Sequence, residues 1–88
     1  MLIEFDTVKD ESNREKHGVS LAMAGSLDWE SALIRRDTRS EYSEARYQAL
    51  GMLDDRLYFV AFTVRGDAIR VISMRKANKR EERQYEQT

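Results

Sequence analysis

The residues best suited to chemistry lie in one stretch, Ile69–Ala77, which reads IRVISMRKA. Arg70 stands among strand-type apolar residues, Arg75 and Lys76 follow as the strand pattern ends, and Lys79, Arg80 and Arg83 continue the basic run. A guanidinium grips two phosphate oxygens through its planar fork, and an ammonium adds a compact point charge. Cations presented where a strand ends therefore suit a phosphate ligand. The alternative is plain surface charge, balanced by Asp67 and the C-terminal glutamates. His17 is the lone histidine, and histidine is the side chain whose ordinary pKa falls near neutrality, so it is the natural proton carrier. It also precedes Gly18 at the end of a helical stretch, where the helix dipole favours a cation for purely structural reasons.

The elements that position these groups can be read outward from Arg70. On an unbroken strand over Ile69–Met74, Ile69, Val71 and Ser73 share one face, and Arg70, Ile72 and Met74 share the other. Arg70 and Arg75 then point to opposite sides, unless the strand ends or bulges near Ser73 and returns Arg75 and Lys76 toward Arg70. Arg56–Arg65 is apolar on both faces, as a central strand should be. Gly66-Asp67 has the glycine-first order of a two-residue type II′ hairpin. Arg46–Leu53 and the Asp54-Asp55 turn complete an antiparallel meander. Ser31–Arg36 forms a brief strand, and Asp37–Ala45 lacks apolar periodicity and reads as an exposed loop. Trp29, Tyr42 and Tyr47 share no strand face at regular spacing and are read as packing or loop residues.

Helical signals flank the strands. After a short strand at Leu2–Phe5, Asp6 or Thr7 caps a helix, with Asp10 three residues after Thr7, and the helix runs to about Lys16 before Gly18 ends it. Ser20 caps a second short helix on which Leu21, Ala24 and Leu27 share a face. Val8, Val19, Leu21, Ala24 and Leu27 are expected to cover one face of the sheet. Asn78 opens a last helix, Lys79–Gln87, with Glu81 as its capping partner. Lys79 and Arg80 oppose the dipole of that helix at roughly 0.3–1 kcal/mol each, so local stability does not ask for them. Tyr85 is its one apolar anchor, or a side chain that stacks on a base or donates a proton.

The 88 residues suit a single domain, 1–88, that is α+β: a short N-terminal strand and two helices on a mostly antiparallel sheet of four to five strands, then a short C-terminal helix. Such a chain buries only about 60–65% of its unfolded surface, enough for one sheet and one helical layer. With no cysteine, disulfides and thiolate metal sites are excluded, one histidine argues against a conventional zinc site, and neither metal nor cofactor is expected. No signal peptide or membrane-length apolar run is found, so a cytoplasmic protein is inferred. The net charge of −1 conceals an asymmetry: residues 1–44 hold six basic against ten acidic residues, and residues 45–88 hold nine against six. A local basic site on a near-neutral body implies contact with a few phosphates, or a charged partner for each half, rather than bulk nucleic-acid binding.

Lys16-His17-Gly18-Val19-Ser20, Gly51, the IR-x-IS-x-RKA of Ile69–Ala77, then Glu82 and Tyr85 follow one another in an order that resembles the BrnT family. Phe5, Asp6, Lys9 and Asn13 before the KHG, and Glu44 and Arg46 before the second long strand, extend the resemblance over nearly the whole chain. Thr7 and Met74 depart from the family pattern, which has proline and alanine there, and a long Met74 side chain would crowd whatever its face approaches. The resemblance implies a RelE-like ribonuclease fold and a type II toxin that cleaves RNA without metal, inhibits translation and is neutralised by a BrnA-like ribbon-helix-helix antitoxin, in a complex larger than a heterodimer. Metal-free cleavage uses the adjoining 2′-OH as nucleophile, and a dianionic phosphorane must be stabilised while two protons move. Arg70, Arg75, Lys76 and His17 are then the candidate catalytic residues. Arg65, Lys79, Arg80, Arg83 and Tyr85 are the candidate RNA contacts. The competing class is a non-catalytic module whose sheet cations only grip nucleic acid or a partner.

Overall fold

Strand pairing follows the two hairpin signals. In a computed structural model describing residues 1–88, β3 (Arg46–Leu53), β4 (Arg56–Arg65) and β5 (Ala68–Lys76) form the expected antiparallel meander. β2 (Leu33–Arg36) joins β3 antiparallel and β1 (Leu2–Glu4) joins β5 parallel, giving the order β1-β5-β4-β3-β2 with β4 in the centre. The sheet is thus mixed at one edge: the chain between β1 and β5 passes through the helical segment and then β2, β3 and β4, long enough for β1 to lie parallel beside β5. Gly66 takes φ +62 at the first position of its turn, where an L side chain would be strained.

β5 departs from the regular alternation. Ala61 pairs with Ser73 but Phe62 pairs with Val71, so Ile72 is an extra residue and β5 bulges there. The expected grouping of Met74 with Arg70 is corrected by this insertion: Ile69, Val71 and Met74 turn into the core, and Arg70, Ser73 and Arg75 share the other face. Met74 is fully buried and so crowds nothing on the arginine side.

The main core lies on one face of the sheet. Val19, Leu21, Ala24 and Leu27 pack there on Tyr58, Val60, Phe62, Ile69, Val71 and Met74. The helical cover consists of α1 (Thr7–His17) and a 3-10 turn at Leu21–Ser26. Trp29 and Tyr47 flank Phe62 with ring centroids 5.4 and 5.6 Å away, so they are packing residues as expected. Gly51 admits Leu27 to the sheet: a Cβ there would sit 2.7 Å from Leu27 Cδ2.

Val8 does not join this layer; it is 71% exposed. The buried residue of α1 is Asn13, and hydrogen bonding docks the helix in place of an apolar stripe. β1 pairs β5 only as far as Arg70, which leaves the outer edge of β5 free at Met74. The Asn13 carboxamide takes the place of the missing strand. Its Nδ2 donates to Met74 O at 2.8 Å and to Val19 O at 2.8 Å, and its Oδ1 accepts Met74 N–H at 3.2 Å. One turn earlier, Asp10 Oδ1 accepts Leu21 N–H at 2.7 Å and the Ser20 hydroxyl at 3.1 Å, tying α1 to the 3-10 turn.

Two stability predictions follow from these contacts. Asn13→Ala should lower unfolding stability by about 2–4 kcal/mol, because it strands three buried backbone groups; Asn13→Asp should do no better, since its carboxylate would face two carbonyl oxygens. Urea unfolding followed by circular dichroism measures both. Gly51→Ala should cost about 1–3 kcal/mol by overpacking Leu27. That cost should shrink in a Leu27→Val background, and additive costs in the double-mutant cycle would show that the contact is not the cause.

Candidate active site on the uncovered half of the sheet

The second sheet face is divided in two. α2 (Lys79–Glu86) covers one half, where Tyr85, Met52, Phe59 and Leu33 pack around buried Leu50, Leu57 and Ala77. The capping box forms as expected: Asn78 Oδ1 accepts Glu81 N–H at 2.8 Å, and Glu81 Oε1 accepts Asn78 N–H at 3.0 Å. The same glutamate receives both arms of Arg75, at 2.8 and 2.9 Å, while the Arg75 guanidinium lies 4.3 Å over the Phe59 ring. Burial is the strongest influence on the Glu81 carboxyl and would raise it, but the Arg75 hydrogen bonds, the Asn78 amide and the charges of Arg75 and Arg80 together hold the group below its ordinary value.

The other half is bare. The pairing register lays Glu4, Arg70, Thr63 and Arg46 in one row across four strands, with Ser73, Ala61, Gln48 and Arg35 in the next. Small side chains thus form the floor and arginines stand around it. Arg70 is one-third exposed, and its Nη1 lies 3.5 Å from Glu4 Oε1. Arg65, two residues beyond Thr63 on β4, donates to Glu44 Oε1 at 2.8 Å, and that bond draws the Glu44 carboxyl below its ordinary value. Arg46 sits 4.4 Å over the Tyr42 ring. In the middle, the Thr63 hydroxyl is buried and has no hydrogen-bond partner. An unpaired buried hydroxyl is costly in a folded protein, on the order of 1–3 kcal/mol, and here it lies between two arginines.

The Asp37–Ala45 loop, expected to be featureless and exposed, is organised around buried Asp37. Asp37 accepts Arg39 through Nε and Nη2 at 2.9 and 2.8 Å, and the Tyr42 hydroxyl at 3.1 Å. The Arg39 bonds overcome burial and hold Asp37 well below the usual carboxylate range. This loop holds Tyr42 beneath Arg46 at the rim of the site. A depression of about 310 Å³ between α2 and β2–β3 adds Arg35, Arg39, Arg75 and Arg80 to its lining, with Glu81.

The register sets Arg65 and Arg70 on one face, the bulge adds Arg75 to it, and α2 adds Arg80 at its margin. Arg70 and Arg75 remain about 13 Å apart along the sheet, four residues of β4, and so address different groups. Lys76 pairs with Tyr58 and lies on the face covered by α1, and His17 is exposed at the end of α1 on that same side. Neither is placed beside Arg70. Lys79 and Arg83 are exposed on α2, and Tyr85 is half-buried as the anchor of that helix. Sequence reasoning missed Glu4, Arg35, Arg39 and Thr63 as members of this face, because only the cross-strand register sets them beside Arg70. Glu44 and Arg46 had a signal, the Glu-x-Arg pattern, but no assigned role. The side chains form no group of three metal-ligand donors, and no helix is long and apolar enough to cross a membrane.

Fold and site define a small α+β protein with a mixed five-stranded sheet that presents arginines on a bare half-face. Residues 5–81 match the family model described as the ribonuclease toxin BrnT of type II toxin–antitoxin systems, and the chain belongs to that family. No curated protein matches it. Among solved structures it is similar to the Brucella abortus ribonuclease toxin BrnT, with 31% identity and a TM-score of 0.68 over 90% of this chain and 99% of that one.

The Arg75–Glu81 pair yields a pH prediction. Because the folded Glu81 carboxyl is held below its unfolded value near 4.3, its contribution is complete above that pH and is lost as pH falls through the folded value. The parent should therefore lose stability more steeply below about pH 4 than Glu81→Gln, which keeps a hydrogen-bonding amide but does not titrate. Parallel acid titrations of thermal unfolding would show it, and equal slopes would count against the pair as a contributor.

Proposed function

We propose that the bare half-face is where this toxin binds and cuts RNA, with Arg70 as the principal phosphate ligand. The observation that carries the reading is the strand register, which sets Arg70 in a row with Arg46 over the buried Thr63 on the face that Arg65 shares, while the bulge at Ile72 adds Arg75 to that face. The neighbouring 2′-OH is the nucleophile, and arginine rather than a metal ion carries the charge of the phosphorane. Arg75 contributes from the margin: its fork is held by Glu81, so it positions α2 and lends its charge to an adjoining phosphate. Arg35, Arg39, Lys79, Arg80 and Arg83 guide the strand toward the face by charge. His17 and Lys76 lie across the sheet and serve a different surface, one suited to a partner.

The substrate is mRNA in the cytoplasm, and its cleavage halts translation. A BrnA-like ribbon-helix-helix antitoxin neutralises the toxin in an assembly larger than one copy of each. Support for this comes from family membership, together with the excess of acids over bases in residues 1–44 and of bases over acids in residues 45–88, which offers a partner two complementary surfaces.

Expression of the chain alone should arrest growth, and co-expression with an adjacent antitoxin gene should restore it. Purified protein should cleave single-stranded RNA in the presence of EDTA. Arg70→Ala should leave folding within about 0.5 kcal/mol of the parent, while cleavage falls by roughly 10²–10³, the scale for losing one transition-state donor. A folded protein that neither turns over RNA nor affects growth would favour the non-catalytic binding module. Persistence of cleavage at the parental rate in Arg70→Ala would move the catalytic groups elsewhere.

A further inference from the structure

Four carboxylates contact arginines of this face, and they are not equivalent; Asp37 is committed to Arg39 and the Tyr42 hydroxyl. Glu81 is committed through both oxygens to Arg75 and, through one of them, to the Asn78 backbone amide. Glu44 is engaged by Arg65 at 2.8 Å, and that bond makes it a weaker proton acceptor. Glu4 differs from these three. It ends β1 in register with Arg70, its side chain is 44% exposed, and its one charged contact is Arg70 Nη1 at 3.5 Å, longer than a hydrogen bond. Ile3 turns into the core on the other face, which leaves the Glu4 carboxylate beside the guanidinium that meets the phosphate. The side chain of His17, the obvious proton carrier by type, is on the far side of the sheet.

We infer that Glu4 is the general base of the cleavage reaction, the carboxylate that takes the proton from the attacking 2′-OH while Arg70 holds the phosphate. The step rests on the ribonuclease reading given above. The 2′-oxygen loses its proton to Glu4 and forms a bond to phosphorus, and the bond from phosphorus to the 5′-oxygen breaks. The leaving 5′-oxygen takes a proton from solvent water, and Glu4 later returns its own to water. The products are a 2′,3′-cyclic phosphate on one fragment and a 5′-hydroxyl on the other, with no oxidant, reductant or co-reactant required. A phosphate on Arg70 draws the guanidinium toward the bare floor, and Glu4, adjacent but not hydrogen-bonded, is left free to face the 2′-OH. The partly exposed end of a short edge strand tolerates the rotation this needs.

The test compares the parent, Glu4→Gln and Glu4→Asp on a short single-stranded RNA of mixed sequence, with and without ribosomes, and measures affinity for the 2′-deoxy counterpart, which cannot be cut. Glu4→Gln should reduce cleavage by roughly 10²-fold or more, the usual scale for a lost general base, with 2′-deoxy affinity equal to or above the parental value. Glu4→Asp should retain intermediate activity, and the residual products should still carry cyclic phosphate ends. Circular dichroism establishes that each variant is folded. Cleavage by Glu4→Gln within a few-fold of the parent overturns the assignment. Faster cleavage with tighter binding also overturns it and makes Glu4 a competitor for Arg70. If the parent itself cuts no RNA under either condition, the ribonuclease reading fails first and the role of Glu4 falls with it.

Discussion

The carboxamide of Asn13 is the contact on which the rest of the structure depends. α1 is a polar helix whose clearest apolar residue, Val8, faces solvent, so burial alone does not dock it. Asn13 instead behaves as a one-residue strand, donating to and accepting from the backbone of Met74 while also donating to Val19. All its donors and its acceptor are used, so a buried polar group that would be costly alone becomes specific. The residue it grips is the one that the bulge at Ile72 turns into the core. Docking of the helix and the parity of β5 are therefore coupled through a single residue. That parity is what leaves Arg70 and Arg75 on the opposite face.

The two faces of the sheet have divided their tasks. One carries the dry core under α1 and the 3-10 turn, and β4 is buried there at Val60 and Phe62. The other has a second, small apolar cluster only beneath α2, and beyond it the floor is Ala61, Thr63 and Ser73. Three of the arginines on the bare half already have a neighbour: Glu4 for Arg70, Glu44 for Arg65, the Tyr42 ring for Arg46. This internal pairing explains how an arginine-rich face exists on a chain of net charge −1. It also restrains non-specific attraction, since long-range steering depends on the summed field rather than on the number of cations. On the proposed reading, a phosphate engages Arg70 or Arg65 by replacing a carboxylate, which favours contact with a few chosen phosphates over adhesion to any polyanion.

Hairpins, caps and the central strand were legible in the sequence because they are local. Gly66-Asp67, Asp54-Asp55, the Asn78–Glu81 box and the two-sided apolar pattern of Arg56–Arg65 each lie within a few residues and obey steric and hydrogen-bonding rules that need no tertiary partner. The family motif likewise marked Asn13, Gly51, Glu44 and Arg46, although their tasks could not be read from it. Cross-strand placement was not legible. A single inserted residue inverts every side chain beyond it, and nothing in IRVISMRKA marks Ile72 rather than Ser73 as the extra one. The sequence by itself determined the element types, the meander and the presence of a basic segment, because propensity and short-range geometry suffice for these. Only the tertiary structure decided that Glu4, Thr63 and Arg46 adjoin Arg70 while His17 and Lys76 do not, because that depends on sheet register and on which face the helices occupy.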